Sequence, residues 1–266
     1  MKRIESLKEV TSLITSYMKK GVLTNNYIMQ DKYEIYIKEG RLYYESNGSI
    51  LLFLLDCTSH WSIYYHIKEL GSEIELPMDK PNALEIIYKS EDQVLKEQVD
   101  FWEAKGFKQH ICRSRMNGNP NTIPVSRQSA NLVRYAEGEH AGKVQKLIAD
   151  NFDRFLGSVP SQAETEEYIK RQEILIAEEV DGSLQGVLHI SRKAPVGFIW
   201  HLVVASECRG KGVAKRLLAY YTQSLEPSLY SRLQLWVRKD NPDAQKLYEA
   251  AGLTYDGWES VGMIKL

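Results

Sequence analysis

Apolar and polar positions change period several times along the chain, and each change marks an element. The opening run MKRIESLKEVTSLITSYMKK spaces its apolar residues helically and predicts an amphipathic helix. The stretches YEIYIKEG, RLYYESNG, SILLFLLDC and WSIYYHIKEL follow, rich in Tyr and Ile and broken by Gly and Asn-Gly. They predict strands joined as antiparallel hairpins. ALEIIYKS continues as a strand, EDQVLKEQVDFWEAKG is a helix closed by Gly106, and FKQHICRSRM is a further strand.

The segment NGNPNTIPVSRQSAN is poor in large apolar residues and rich in turn formers, which places a domain boundary there, between 1–128 and 129–266. Beyond it NLVRYAE reads as a strand, HAGKVQKLIADNF as a helix, and SQAETEEYIKRQE as a helix that Ser161 caps. ILIAEEVDGSLQGVLHISRK predicts a hairpin turning at Asp181-Gly182, and FIWHLVVA an apolar strand. RLQLWVRKD is a buried strand, NPDAQKLYEAAG a helix ending at Gly252, and LTYDGWESVGMIKL a closing strand or hairpin. Strands alternating with helices give an α/β fold of the α+β type, with a second α/β domain in the N-terminal half. FWEAKGF at 101–107 echoes LYEAAGL at 247–253, so the halves read as related copies or as two uses of one helix-end pattern.

Charge narrows the partners. With 34 basic and 35 acidic residues the chain is nearly neutral, and nothing global favours nucleic acid or an anionic membrane. No apolar run is long enough to span a bilayer. Three widely spaced cysteines without a CxxC pair point to a reducing cytoplasm and away from a disulfide framework or a metal site.

The candidate chemistry sits in FIWHLVVASECRGKGVAKRLL, read as strand, turn and helix. The first amides of a helix lack internal partners, and the helix dipole favours an anion there. Gly210 and Gly212 remove the Cβ atoms that would hold a phosphate off those amides, while Arg209, Lys211 and Lys215 add charge. The pattern suits a diphosphate. A Walker loop requires Ser or Thr after Gly-Lys, where Gly212 stands; a dinucleotide fingerprint requires Gly or Ala where Lys215 stands.

Here the sequence resembles the GCN5-related N-acetyltransferases, which move acyl groups from coenzyme A to amines. RGKGVA matches the family signature at Arg209, Gly212 and Ala214, and NPDAQKLYEAAGL matches a second block at Asn241, Ala244, Leu247, Tyr248 and Gly252. The resemblance covers roughly residues 131–266 and implies a mixed, twisted sheet flanked by helices, with acetyl-CoA as cofactor. It implies that amides of Arg209, Gly210, Lys211, Gly212, Val213 and Ala214 cradle the diphosphate, and that Leu202, Val203 and Val204 offer backbone to the pantetheine arm. Asn241 would bond to the pantetheine or phosphate region, and Tyr248 would protonate the departing thiolate.

The base is where the match lapses. Family members often carry Glu or His at the positions of Trp200 and Phe198. His201 is the candidate base, although strand alternation turns it to the opposite face unless a bulge intervenes; His189 is a weaker one. A bulge near Leu202–Val204 would expose an amide to polarise the thioester carbonyl. Cys208, at the helix start, reads as incidental. Residues 1–128 contain no counterpart of RGKGVA, and Trp102 stands where Tyr248 stands, so this half is expected to be structural or acceptor-shaping. Two functions stay open: direct acetylation of a primary amine, on a small molecule or peptide, and a coenzyme A sensor or scaffold without turnover. A nucleotide-dependent enzyme of another fold is a third. The oligomeric state is open too.

Overall fold

The computed structural model describes residues 1–89, 93–123 and 133–266. It forms two compact units, Met1–Cys112 with Glu259–Leu266, and Arg113–Trp258. The boundary expected at 128/129 lies within 124–132, outside the described residues.

The first unit runs β1 (Lys2–Arg3), α1 (Leu7–Tyr17), β2 (Leu23–Thr24), α2 (Gln30–Lys38), β3 (Leu42–Ser46), β4 (Ile50–Asp56), β5 (Trp61–Ile67), β6 (Asn82–Lys89) and α3 (Gln93–Ala104). β7 (Lys108–Gly118) then leads into the second unit. Strands β3, β4 and β5 pair antiparallel in succession, as the hairpins require. The run ILLFLLD is apolar on both faces because both are covered. Leu51, Phe53 and Leu55 pack with α1 and α2, and Ile50, Leu52 and Leu54 pack with Trp102 and Phe107.

One expected strand is a helix. YEIYIKEG falls largely in α2, where Tyr33 and Tyr36 are buried three residues apart and share a core with Phe53. Strand alternation would instead have buried 33, 35 and 37 together; the helical period of the buried tyrosines decides the element.

The second unit runs β8 (Val133–Tyr135), α4 (Ala141–Asn151), α5 (Gln162–Lys170), β9 (Ile174–Glu178), β10 (Leu184–Ser191), β11 (Val196–Val204), α6 (Val213–Ser224), β12 (Arg232–Arg238) and α7 (Pro242–Ala250). β13 (Thr254–Lys265) follows and returns its last residues to the first unit. Ser161 caps α5 through a capping box: its Oγ accepts from Glu164 N at 3.2 Å, and Glu164 Oε2 accepts from Ser161 N at 2.9 Å. One face of the sheet packs against α6 and α7 through Ile199, Leu217, Tyr221, Leu235 and Tyr248. The other packs against α4 and α5 through Val144, Ile148, Tyr168, Ile176 and Val203.

Both units build one mixed sheet plan flanked by helices. The first orders its strands β1-β3-β4-β5-β6 and then the end of β13; the second orders them β8-β9-β10-β11-β12 and then the end of β7. In each, the fourth and fifth strands form the parallel pair. The echoed helix ends also coincide. Phe107 N donates to Trp102 O at 3.1 Å and Leu253 N to Tyr248 O at 3.0 Å, with Gly106 and Gly252 at φ 89° and 84°.

The units differ at the parallel pair. β11 and β12 are joined through α6, whereas no helix stands between β5 and β6. In the first unit β2 also pairs with β5, Leu23 opposite Ile67 and Thr24 opposite His66. β4 already covers the other edge of β5, so this short strand lies on the edge that faces away from it. Asn25 extends the closure: Nδ2 donates to Ile63 O at 3.0 Å and Oδ1 accepts from Tyr65 N at 2.6 Å. The first unit therefore closes with its own chain the cleft that the second leaves between β11 and β12.

Candidate active site at the splayed strand pair

The site begins where β11 turns into α6. Gly210 and Gly212 sit at φ 75° and 76°, in the left-handed region that L side chains avoid, so backbone conformation alone calls for glycine at both. Space matters as well. Among the described residues, and apart from the adjoining backbone, no atom lies within 4 Å of a Cβ added to Gly210, and for Gly212 only Arg216 Nη1 does, at 3.8 Å. Side chains there would fill open volume in front of the helix start. Gly212 is the N-cap and supplies no side chain, which leaves the first-turn amides of Val213 and Ala214 without a capping acceptor.

Arg216, one turn into α6, was not singled out from sequence. Its Nη1 donates to Lys211 O at 2.9 Å and its Nη2 to Gln185 Oε1 at 3.0 Å. That bond to the Lys211 carbonyl fixes the turn. The sequence signal was its position at i+4 from Gly212. Gly186 was missed too: a Cβ there would meet Val203 O at 2.8 Å and Val213 Cγ1 at 3.0 Å, so its absence lets α6 seat its first residue on the sheet. Lys211 and Lys215 are exposed beside the turn. Arg209 turns aside, donating from Nη2 to Asn151 Oδ1 at 2.9 Å and from Nε to Val204 O at 3.3 Å.

β11 and β12 pair from Val196–Arg232 to Ile199–Leu235 and then part, though both continue. Beyond Ile199, β11 pairs only with β10, and its edge toward β12 stands open among the described residues. Leu202 and Val204 lie on this stretch and pack toward the α6–α7 core, while Val203 packs on the α4–α5 side.

The bulge lies earlier than expected, at Trp200. His189 pairs with His201 but Ile190 pairs with Ile199, leaving Trp200 as the extra residue. The irregularity reverses the facing of β11: Ile199 belongs to the α6–α7 core, yet Val203, an even number of positions on, belongs to the α4–α5 core. His201 thereby lands on the α4–α5 side, where it is 3% exposed and edge-on to Phe152. Its Nε2 lies 2.8 Å from Gly157 O and its Nδ1 3.0 Å from Nδ1 of buried His189. A carbonyl only accepts, so Nε2 carries the hydrogen and, in the neutral ring, Nδ1 accepts from His189. Both nitrogens of His201 are thus engaged within the protein.

Tyr248 on α7 is buried, and its hydroxyl makes no hydrogen bond to a described residue. Burial pushes its pKa above the ordinary phenol value, so the group stays protonated. Asn241 caps α7, Oδ1 accepting from Ala244 N at 3.1 Å. Cys208 is buried in the α6–α7 core, and none of the three cysteines is in a disulfide. No group of three or more metal-ligating side chains suited to an ion occurs among the described residues. No described helix is long and apolar enough to cross a membrane.

An open strand edge leading to an uncapped, glycine-lined helix start suits an extended ligand that ends in a diphosphate. The comparisons agree with that geometry. Residues 143–253 match the model of the acetyltransferase (GNAT) family. No curated protein matches the chain significantly. An acetyltransferase of the GNAT family from Colwellia psychrerythraea superposes with a TM-score of 0.55 at 15% identity, covering 100% of this chain and 98% of that one. A tandem GNAT protein from the clavulanic acid biosynthesis pathway gives 0.55 at 14% identity, over 84% and 83% of the chains. A GCN5-related N-acetyltransferase from Sphaerobacter thermophilus gives 0.56 at 15% identity, over 82% and 76%. At these identities the structures bear on the fold, and they extend it over both units. Residues 143–253 of this chain are an acetyltransferase domain of the GNAT family.

Proposed function

We propose that the second unit acetylates a primary amine with acetyl-CoA by direct attack. The observation that carries this reading is the continuity of the open β11 edge with the Gly210–Gly212 turn and the uncapped start of α6. The backbone of Leu202–Val204 would take the pantetheine arm as an added strand, and amides of 209–214 would take the diphosphate. Acetyl-CoA supplies a thioester whose C–S bond breaks as the amine nitrogen bonds to the acyl carbon. Tyr248 holds its proton and donates a hydrogen bond to the departing sulfur. With its pKa raised further above that of a thiol, about 8.5, it is a better donor than a full proton source. Trp200 presents the bulged backbone of β11 as the place for an amide donor to the carbonyl. Asn241 orders the start of α7, which carries Tyr248, and is the residue offered to the pantetheine side. His201 enters as half of an imidazole pair, so the reading has the amine reach the cleft neutral and lose its second proton to solvent. The first unit, with its cleft closed and no cradle helix, is read as a degenerate, structural copy. Three cysteines outside any disulfide fit a reducing cytoplasm.

One observation favours a second reading, a coenzyme A sensor: Phe198 and Trp200 occupy the usual base positions and both nitrogens of His201 are engaged. Thiol release from acetyl-CoA against a panel of amines separates the two. Amine-dependent release establishes the transferase, and tight binding of acetyl-CoA with no release by any amine establishes the sensor.

A further inference from the structure

On the sheet face opposite α6 and α7, β12 and β7 hold an arginine in a tightly specified setting. Trp236 pairs with Arg115 and Gln234 with Asn117, while the alternate residues Leu235, Val237 and Met116 belong to the α6–α7 core. Arg115 Nε donates to Asp256 Oδ2 at 2.8 Å. Its guanidinium carbon lies 5.8 Å from the Trp236 ring centre and 5.0 Å from that of Trp258. Asp256 is fully committed: Oδ2 also accepts from Asn117 Nδ2 at 2.8 Å, and Oδ1 from Trp258 N at 3.2 Å. The guanidinium is clamped from its Nε side, and neither Nη atom has a partner among the described residues. The side chain is 22% exposed, so part of it meets solvent.

Two indoles around a cation are a setting that recognises quaternary or protonated amines. Here the chain supplies the cation itself, and a polycationic acceptor would meet like charge. What remains for a ligand is the terminal edge of a fixed guanidinium, the fork that a carboxylate accepts bidentately. The place is relevant to transfer. Phe198 pairs with Gln234 on this face, and β11 leaves β12 one pair later. Arg115 therefore stands two strands across the sheet from β11, a separation of about 10 Å where those strands are paired. We propose that Arg115 recognises a carboxylate on the acceptor, so that the acylated amine belongs to an amino-acid-like molecule, with Trp236 and Trp258 as its flat apolar walls. The inference rests on the acetyltransferase reading and narrows its substrate.

The test uses the full chain and matched acceptors: phenylalanine, glutamate and lysine, each beside its carboxamide, with spermidine as the polycation. Wild type should prefer acid over amide in kcat/KM by about tenfold or more, the range of a charge-assisted pair, and use spermidine poorly. Arg115→Gln should raise KM for the acids about tenfold to a hundredfold and bring the acid-to-amide ratio near one, while acetyl-CoA affinity by calorimetry is retained. Arg115→Lys, which keeps charge without the fork, should recover part of the ratio. Equal use of acid and amide by wild type overturns the assignment, even if the variants do not fold. If no amine is turned over, the transferase reading fails separately. Direct titration of the wild type and Arg115→Gln with the acids then decides: Arg115-dependent binding keeps the carboxylate site, and its absence removes it.

Discussion

Replacing Gly212 with alanine tests the proposed cradle, because its effects on stability and on ligand affinity come apart. At φ 76° an alanine is strained, on the order of 1–2 kcal/mol. Beyond the adjoining backbone, the added Cβ meets no atom of the described residues closer than Arg216 Nη1 at 3.8 Å, so no steric term joins that cost. The ligand-free protein should lose about 2–4 °C of Tm per kcal/mol. The same methyl group would stand in front of the amides of Val213 and Ala214, and losing one charge-assisted hydrogen bond costs about 1.5–3 kcal/mol. Affinity for acetyl-CoA should fall roughly tenfold to a hundredfold. At a concentration 100 times the wild-type Kd, ligand stabilises wild type by about 2.7 kcal/mol; after a hundredfold loss the figure is about 0.4 kcal/mol. Thermal melts with and without acetyl-CoA read both quantities on one sample, and calorimetry gives Kd directly. A variant that melts lower but gains as much from acetyl-CoA as wild type would refute the cradle and leave the glycine a purely conformational role.

Three further outcomes are expected. Tyr248→Phe should lower kcat on the order of a hundredfold with little change in acetyl-CoA affinity. Because burial raises the pKa of Tyr248 and the group acts protonated, wild-type activity should persist through the ordinary phenol range and fall only above it. An alkaline limb below about pH 9.5 that disappears in the variant would contradict this assignment. Asn25→Ala strands Ile63 O and Tyr65 N in a buried site and should cost on the order of 3 kcal/mol by denaturant titration; binding should remain one acetyl-CoA per chain, and a second bound equivalent would show that the first cleft is more than plugged. Ser161→Ala removes the α5 capping box and should cost about 1 kcal/mol, measured as a shift in the denaturation midpoint.

The motifs legible in the sequence are those where one residue type answers one backbone demand. Gly210, Gly212 and Gly252 each stand at positive φ, Ser161 caps a helix, and Asp181-Gly182 turns the β9–β10 hairpin with Gly182 at φ 79°. What was not legible depends on partners distant in sequence. The tyrosines of α2 suit either period until Phe53 on β4 chooses the helix. The bulge at Trp200 is set by pairing with β10, and no local pattern announces it. His201 reads as a candidate base because its strand position is nearly right, whereas Gly157, 44 residues away, and His189 fix its tautomer. Arg115 drew no attention because Asp256 and Trp258 arrive 141 residues or more later.

Under the proposed reading, the contrast between the units places function at a sheet edge more than in any side chain. An open strand edge presents unpaired amides and carbonyls and invites another chain. The first unit removes that hazard at β5 with Leu23, Thr24 and Asn25, and among the described residues no helix stands between β5 and β6. In the second unit β11 is open past Ile199 among the described residues, and the strand runs on into the glycine turn of α6. Keeping an edge unsatisfied is costly for a strand with no ligand to cover it. Under the proposed reading that cost is offset when the pantetheine backbone pairs with Leu202–Val204. Exchange protection of the β11 amides past Ile199 should therefore rise on adding acetyl-CoA, while amides of β5 stay protected throughout. Protection of β11 that is already complete without ligand would mean that the edge is satisfied some other way, and the added-strand model would fail with the cradle intact.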